Sequence, residues 1–171
     1  MPGKERNLEV KAVDPDPQAT LQAALELGAE DHGVLHQRDT YFHSVIGRLK
    51  LREAPPRPAE LIAYDRADLA GPTVSLYRVV AVADHLALID ALSDSLGVRC
   101  VVEKARRLLL WHNVRIHLDR VSGLGHFVAL EAVATAPGGL VVERDRVEQL
   151  RQVLGIADER LVSRGYADML A

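Results

Sequence analysis

Several short stretches of this chain set charged side chains at every second position among aliphatic ones. In NLEVKA (residues 7–12) Glu9 and Lys11 alternate with Leu8 and Val10, and in GRLKLRE (47–53) Arg48, Lys50 and Arg52 alternate with Leu49 and Leu51. In VRCVVEKARRLLLW (98–111) Lys104 and Arg106 share a face with Val102 and Leu108. Arg115, His117 and Asp119 oppose Val114, Ile116 and Leu118 in VRIHLDRV (114–121), and Glu131 falls on the face of Phe127 and Ala129 in HFVALEAVA (126–134). On a strand, such alternation sends the charges to one side of the sheet and the aliphatics to the other. For any one strand the plain reading is a wet outer face over an apolar core. The repetition supports a second reading, a polar interior. Buried Lys and Arg cannot stay unpaired, so an interior of that kind demands an anion. A triphosphate, with roughly four negative charges and oxygen triads suited to forked guanidinium donors, is the natural candidate.

The elements that must carry these residues read as strands at 7–13, 35–42, 47–53, 60–66, 74–82, 98–111, 114–121 and 126–134. Their separators carry turn chemistry: PPRP at 55–58, AGP at 70–72, HN at 112–113 and SGLG at 122–125. A first helix opens on Asp16 as N-cap with Pro17 behind it and stops at Gly28. A second opens at Asp84, spaces Leu86, Ile89, Leu92 and Leu96 helically, and stops at Gly97. A third spans about 142–154 before Gly155, and a short helix is expected near RGYADML. Consecutive strands with tight connections imply antiparallel pairing. The expected class is therefore α+β, an eight-stranded antiparallel β-barrel with flanking helices, its interior able to hold side chains or one ligand.

Composition bounds the function. The 171 residues are 48% hydrophobic and 26% charged, which suits one soluble globular domain over 1–171. The formal net charge of −3 argues against nucleic acid as the partner. From Arg99 to Arg120, however, Arg99, Lys104, Arg106, Arg107, Arg115 and Arg120 outnumber Glu103 and Asp119, a balance that fits a small anion. Cys100 is the single cysteine, so no internal disulfide exists. No apolar run reaches membrane length, and MPGKERN lacks the apolar core of a signal peptide. These features point to a cytoplasmic protein with no membrane partner.

The ordered series NLEVKA, LHQRDTYF, GRLKLRE, ELIAYDR, VVEKARRLLLWHNVRIHLDRVSGLG, HFVALE and GYADML resembles the CYTH superfamily from Asn7 to about Leu170. That superfamily joins class IV adenylyl cyclases with thiamine triphosphatases. The resemblance implies a triphosphate tunnel inside the barrel, with Mg²⁺ or Mn²⁺ as cofactor and a nucleoside triphosphate or another triphosphate as ligand. Glu9 matches the second acid of the family's Glu-x-Glu-x-Lys opening and Lys11 its lysine. Lys50 and Arg52, Lys104 and Arg106, Arg115, and Arg66 at the end of the fourth strand match basic positions, so with Lys11 they become the phosphate-binding set. Lys11 and Arg115 become catalytic candidates. Glu9, Asp119 and Glu131 become metal candidates, and Asn7, Arg48, His117 and Tyr166 accessory ones. Two departures stand out. Asn7 occupies the place of the usual first Glu, and Ala129 that of the first Glu in the late acidic pair. The leading expectation is cyclisation of ATP to cyclic AMP and pyrophosphate, supported by the His126-Phe127 pair ahead of an acid. The alternatives are metal-dependent triphosphate hydrolysis and a repurposed phosphate-ligand binder. A homodimer is compatible with either chemistry.

Other chemistries find little support. His32 and His36 are four apart, but Gly33 and the strand pattern argue against a shared helical face for zinc. There is no G-x-S-x-G elbow and no P-loop signature. Cys100 reads as a packed thiol, His117 as an ordinary strand histidine, and Tyr166 as packing of the last helix in preference to a tunnel cap. A barrel for an apolar ligand is the best unrelated alternative. It requires Lys50, Arg52, Lys104 and Arg106 to point outward.

Overall fold

A computed structural model describes residues 4–171, so the first part of the charged MPGKERN run lies outside the described residues. The strands are β1 (Glu5–Val13), β2 (Glu30–Phe42), β3 (Arg48–Ala54), β4 (Arg57–Arg66), β5 (Thr73–Val82), β6 (Val98–Trp111), β7 (Val114–Val121) and β8 (Gly125–Val133). They close into one antiparallel barrel in the order β1-β5-β4-β3-β2-β6-β7-β8. The helices are α1 (Pro17–Glu26), α2 (His85–Leu96), α3 (Val141–Val153) and α4 (Tyr166–Leu170). None among the described residues is long and apolar enough to cross a membrane.

Local chemistry explains the helix ends. Asp16 accepts the Ala19 N–H at 3.1 Å and Asp84 the Ala87 N–H at 3.2 Å, so both are side-chain N-caps. Gly97 follows α2 at φ +77°, a conformation that costs glycine little. β2 starts earlier than residue 35. Its ladder with β6 slips between Asp31 and Val34, where Gly33 adopts φ +83° and donates its N–H to Asp31 Oδ1 at 2.9 Å. The stretch EDHG reads as loop, but β6 is long enough to pair with it across this bulge. His32 and His36 accordingly lie on a strand.

The apolar core lies outside the barrel. Leu8, Val10 and Ala12 of β1, Val114 and Ile116 of β7, and Val128, Leu130 and Ala132 of β8 turn outward and pack with Ala24 of α1 and with Val147 and Leu150 of α3. Phe42, Leu51 and Ala59 pack beneath Leu88, Ile89 and Leu92 of α2. The helices are therefore what bury the aliphatic face of the wall, and the alternate residues are left to line the lumen. Truncating Ile116, which is fully buried, to Ala is expected to cost about 2–5 kcal/mol. Val80→Ala, on the exposed outer wall, should stay within about 0.5 kcal/mol. Denaturant midpoints of the two variants check the contrast.

Candidate functional site

The cations face inward. Side chains of Lys50, Arg52, Lys104 and Arg106 are only 12, 17, 2 and 12% exposed, which removes the apolar-ligand barrel. Cross-strand pairing sets this arrangement: Arg52 lies opposite Asp39 on β2, Lys104 opposite Gln37, and Arg106 opposite Asp119 on β7. Asp39 is fully buried and accepts from Arg52 Nε and Nη2 at 2.8 Å each. Lys50 Nζ and Lys104 Nζ reach the same carboxylate at 3.1 Å. Burial works against its ionised form, but Arg52, Lys104 and Lys50 overcome that and hold it well below the usual carboxylate range. Lys104 is driven the other way. Burial and then the crowding of Arg106, Arg52 and Lys50 pull its ammonium well below the ordinary lysine range, with Asp39 alone of its named partners opposing. One carboxylate serving three cations leaves the lumen short of negative charge.

Asp119 forms the second clamp. Its two oxygens accept from Arg106 Nε and Nη2 at 2.7 and 2.8 Å, and the Tyr166 hydroxyl donates to Oδ2 at 2.7 Å. Against the cost of burial, Arg106 keeps this carboxyl far below its usual range. Asp119 is thus the counter-ion of Arg106, and it does not join the other metal candidates. Among the described residues no group of three or more His, Cys, Asp or Glu side chains could hold a metal ion.

Glu9 and Glu131 do come together. They face each other across the β1–β8 ladder, and Arg115 sits opposite Glu131 on β7. Arg66 Nη1 lies 3.2 Å from Glu9 Oε1, Arg115 Nη1 3.5 Å from Glu131 Oε1, and His117 Nδ1 4.0 Å from Glu131 Oε2. Burial, reinforced by Glu131, raises the Glu9 carboxyl above its usual value while Arg66 opposes. His117 is buried in the lumen; burial and then Arg106 hold it neutral. Asn7 donates its amide to Glu131 Oε1 at 2.7 Å, which leaves its buried Oδ1 without a hydrogen-bond partner. An orphaned carbonyl oxygen beside two carboxylates is a donor set that suits a hard divalent cation. Ala129 stands opposite Lys11 and His117 and contributes nothing polar there.

Lys11 Nζ lies 3.9 Å from the centre of the Tyr166 ring. Burial first, and then Arg66, lower its amine to about 7. Tyr166 therefore caps the lumen from within as well as packing on Phe127, at 5.1 Å between ring centres. Helix α4 is tied across this end by Asp168, which pairs with Arg48 at 3.4 Å and with Arg99. Asp39, Tyr41, Tyr64 and Asp168 were not singled out in the sequence, and Arg99 only as part of its basic region. Lys50 Nζ sits 5.4 and 5.3 Å from the Tyr41 and Tyr64 ring centres, so the two rings share the cation. The available signal for Asp39 and Tyr41 was their alternation in LHQRDTYF. A groove of about 620 Å³, lined by His36, Arg38, Glu103 and Arg120 among others, reaches this constellation at Lys104.

Comparison with known proteins fits this geometry. The family model described as the CYTH domain matches residues 5–166. No curated protein matches the chain. Among solved structures, a Pyrococcus horikoshii protein is 21% identical with a TM-score of 0.78, covering 95% of this chain and 98% of its own. A candidate adenylate cyclase of Vibrio parahaemolyticus is 18% identical with a TM-score of 0.81, covering 99% of both chains. A Hippeastrum candidate adenylyl cyclase, described as having a dominant triphosphatase activity, is 14% identical with a TM-score of 0.65, covering 97% of this chain and 93% of its own.

Two stability measurements test the electrostatics. Asp39→Asn strands Arg52, Lys50 and Lys104 without their anion, and the expected loss is about 3–5 kcal/mol in phosphate-free buffer. Tripolyphosphate at about 100 times its Kd should return about 2.7 kcal/mol. Lys11 gives a pH signature. Its folded value of about 7 lies below the unfolded value of about 10.4, so the unfolded chain binds more protons between them. The penalty is complete below pH 7 and fades as pH rises toward 10.4. Lys11→Met should accordingly raise Tm by at least about 2–4 °C at pH 6 in EDTA, with the gain shrinking in alkali, as read by calorimetry.

Proposed function

The chain belongs to the CYTH family, and from that premise we propose that its lumen binds a nucleoside triphosphate and converts it as a class IV adenylyl cyclase, forming cyclic AMP and pyrophosphate. The observation that carries this reading is the inward set Lys50, Arg52, Lys104 and Arg106, which exceeds its internal counter-ions Asp39 and Asp119. These four take the phosphate chain, since forked and point cations together match polyphosphate oxygens. Arg66 and Arg115 stand beside the carboxylate pair and stabilise charge on the phosphoryl group that reacts. Lys11 Nζ, its amine lowered to about 7, accepts in its unprotonated form the proton of the attacking ribose 3′-hydroxyl. The hydroxyl oxygen then bonds to the α-phosphorus, the bond to the bridging oxygen breaks, and pyrophosphate departs with that electron pair. A Mg²⁺ or Mn²⁺ ion held by Glu9, Glu131 and Asn7 Oδ1 would supply charge neutralisation on the phosphate oxygens.

Hydrolysis is the second reading, and Lys11 favours it equally, because the same amine can take a proton from water. The Hippeastrum protein, similar in fold, carries a description of just that activity. Incubation of the purified protein with Mg²⁺ or Mn²⁺ and, separately, ATP, thiamine triphosphate and inorganic tripolyphosphate distinguishes the readings. Cyclic AMP with pyrophosphate from ATP is the expected outcome, and orthophosphate release without cyclic AMP would replace it by hydrolysis. Saturable binding without turnover of any of the three would mark a repurposed binder. Arg52→Ala should lower kcat/KM with the active substrate by about 10²-fold or more.

A further inference from the structure

The upper carboxylates are already spoken for. Glu9 is paired with Arg66 at 3.2 Å, and Glu131 with Arg115 at 3.5 Å and with the Asn7 amide at 2.7 Å. A carboxylate can only accept, so the Asn7 amide nitrogen must turn toward Glu131, and its carbonyl oxygen is left buried without a donor. Residue 7 contributes that neutral oxygen where a carboxylate would add charge, and Ala129 on the same wall adds no ligand. A hard divalent ion taking about six oxygens therefore finds two carboxylates, each facing a guanidinium, and one carbonyl. A polyphosphate arriving alone meets the mirror problem, since Arg66 and Arg115 are engaged and Glu9 and Glu131 repel it.

Resting on the polyphosphate reading above, we infer that divalent ion and polyphosphate occupy this tunnel as one unit, by exchange of ion pairs: Glu9, Glu131 and Asn7 Oδ1 pass to the ion while Arg66 and Arg115 pass to phosphate oxygens. Each ligand removes the partner that blocks the other, so coupling is positive and equal in both directions. Asn7 sets its size. A third carboxylate would let the ion bind by itself, whereas the amide makes its binding conditional on the phosphate. The carbonyl supplies an oxygen without adding the negative charge that would repel the incoming polyphosphate.

The test is binding. Imido-bridged tripolyphosphate, whose P–N–P links resist cleavage, is titrated calorimetrically into the wild-type protein in EDTA and in millimolar MgCl₂, and Mn²⁺ alone is titrated with free ion read by electron paramagnetic resonance. The expected result is at least tenfold tighter polyphosphate binding with Mg²⁺, and no saturable Mn²⁺ binding below millimolar concentration. Asn7→Asp should bind Mn²⁺ alone at least tenfold more tightly and show a smaller Mg²⁺ enhancement. Equal polyphosphate affinity with and without metal, or micromolar Mn²⁺ binding by the wild type alone, overturns the exchange while leaving the polyphosphate reading intact. No saturable polyphosphate binding under either condition overturns both.

Discussion

Asp39 accepts from both nitrogens of the Arg52 fork and holds Lys50 and Lys104 at 3.1 Å, and the closed barrel depends on this contact. Strands β2, β3 and β6 each deliver a cation or the anion to it, so the pairing that closes the ring also brings like charges together. Without a central carboxylate, three buried cations would repel one another in a low dielectric. Asp119 repeats the device for Arg106 on the other side of β6. Both anions are internal stand-ins for a ligand, yet they fall short of the charge they face. The two carboxylates keep the barrel foldable, and the shortfall leaves the lumen attractive to an anion.

The wall has its usual polarity reversed, and the helices make that tenable. Because Leu8, Ile116 and Leu130 turn outward, α1 and α3 must cover them, and the apolar core forms between barrel and helices. A polar lumen and an external core are two consequences of one alternating pattern. Apolar packing and the charged lumen are thereby assigned to opposite faces of the same strands. Packing changes outside need not disturb the charges inside.

Much of this was legible in the sequence. The alternation in GRLKLRE and VRIHLDRV identified the faces of β3 and β7, because a period of two is insensitive to tertiary context once the strand exists. Helix starts at Asp16 and Asp84 were legible because N-capping is local. What was illegible depended on register. Asp39 sits in LHQRDTYF, a stretch that shares in the family resemblance but gives this acid no role, and only the β2–β3 pairing reveals that it meets Arg52. Asp119 reads as a metal candidate, while the structure commits it to Arg106 and Tyr166. The early start of β2 was hidden by EDHG, whose turn composition describes a bulge within a strand. Tyr166 is an accessory candidate read as packing in preference to a tunnel cap, because its contact with Lys11 joins segments far apart in the sequence.

β1 bonds to β5 on one side and to β8 on the other, so the first strand is the seam of the ring. Its two neighbours begin at Thr73 and Gly125, about 60 and 110 residues beyond Val13 at the end of β1. Contacts of such long sequence separation carry a large loop-closure cost, and folding dominated by them is slow. During synthesis Leu8 and Val10 must wait, with both strand edges unpaired, until β5 and then β8 leave the ribosome. Among the eight barrel strands, the one that bears Asn7, Glu9 and Lys11 is thus made first and sealed last, and for that interval its edges are open to mispairing.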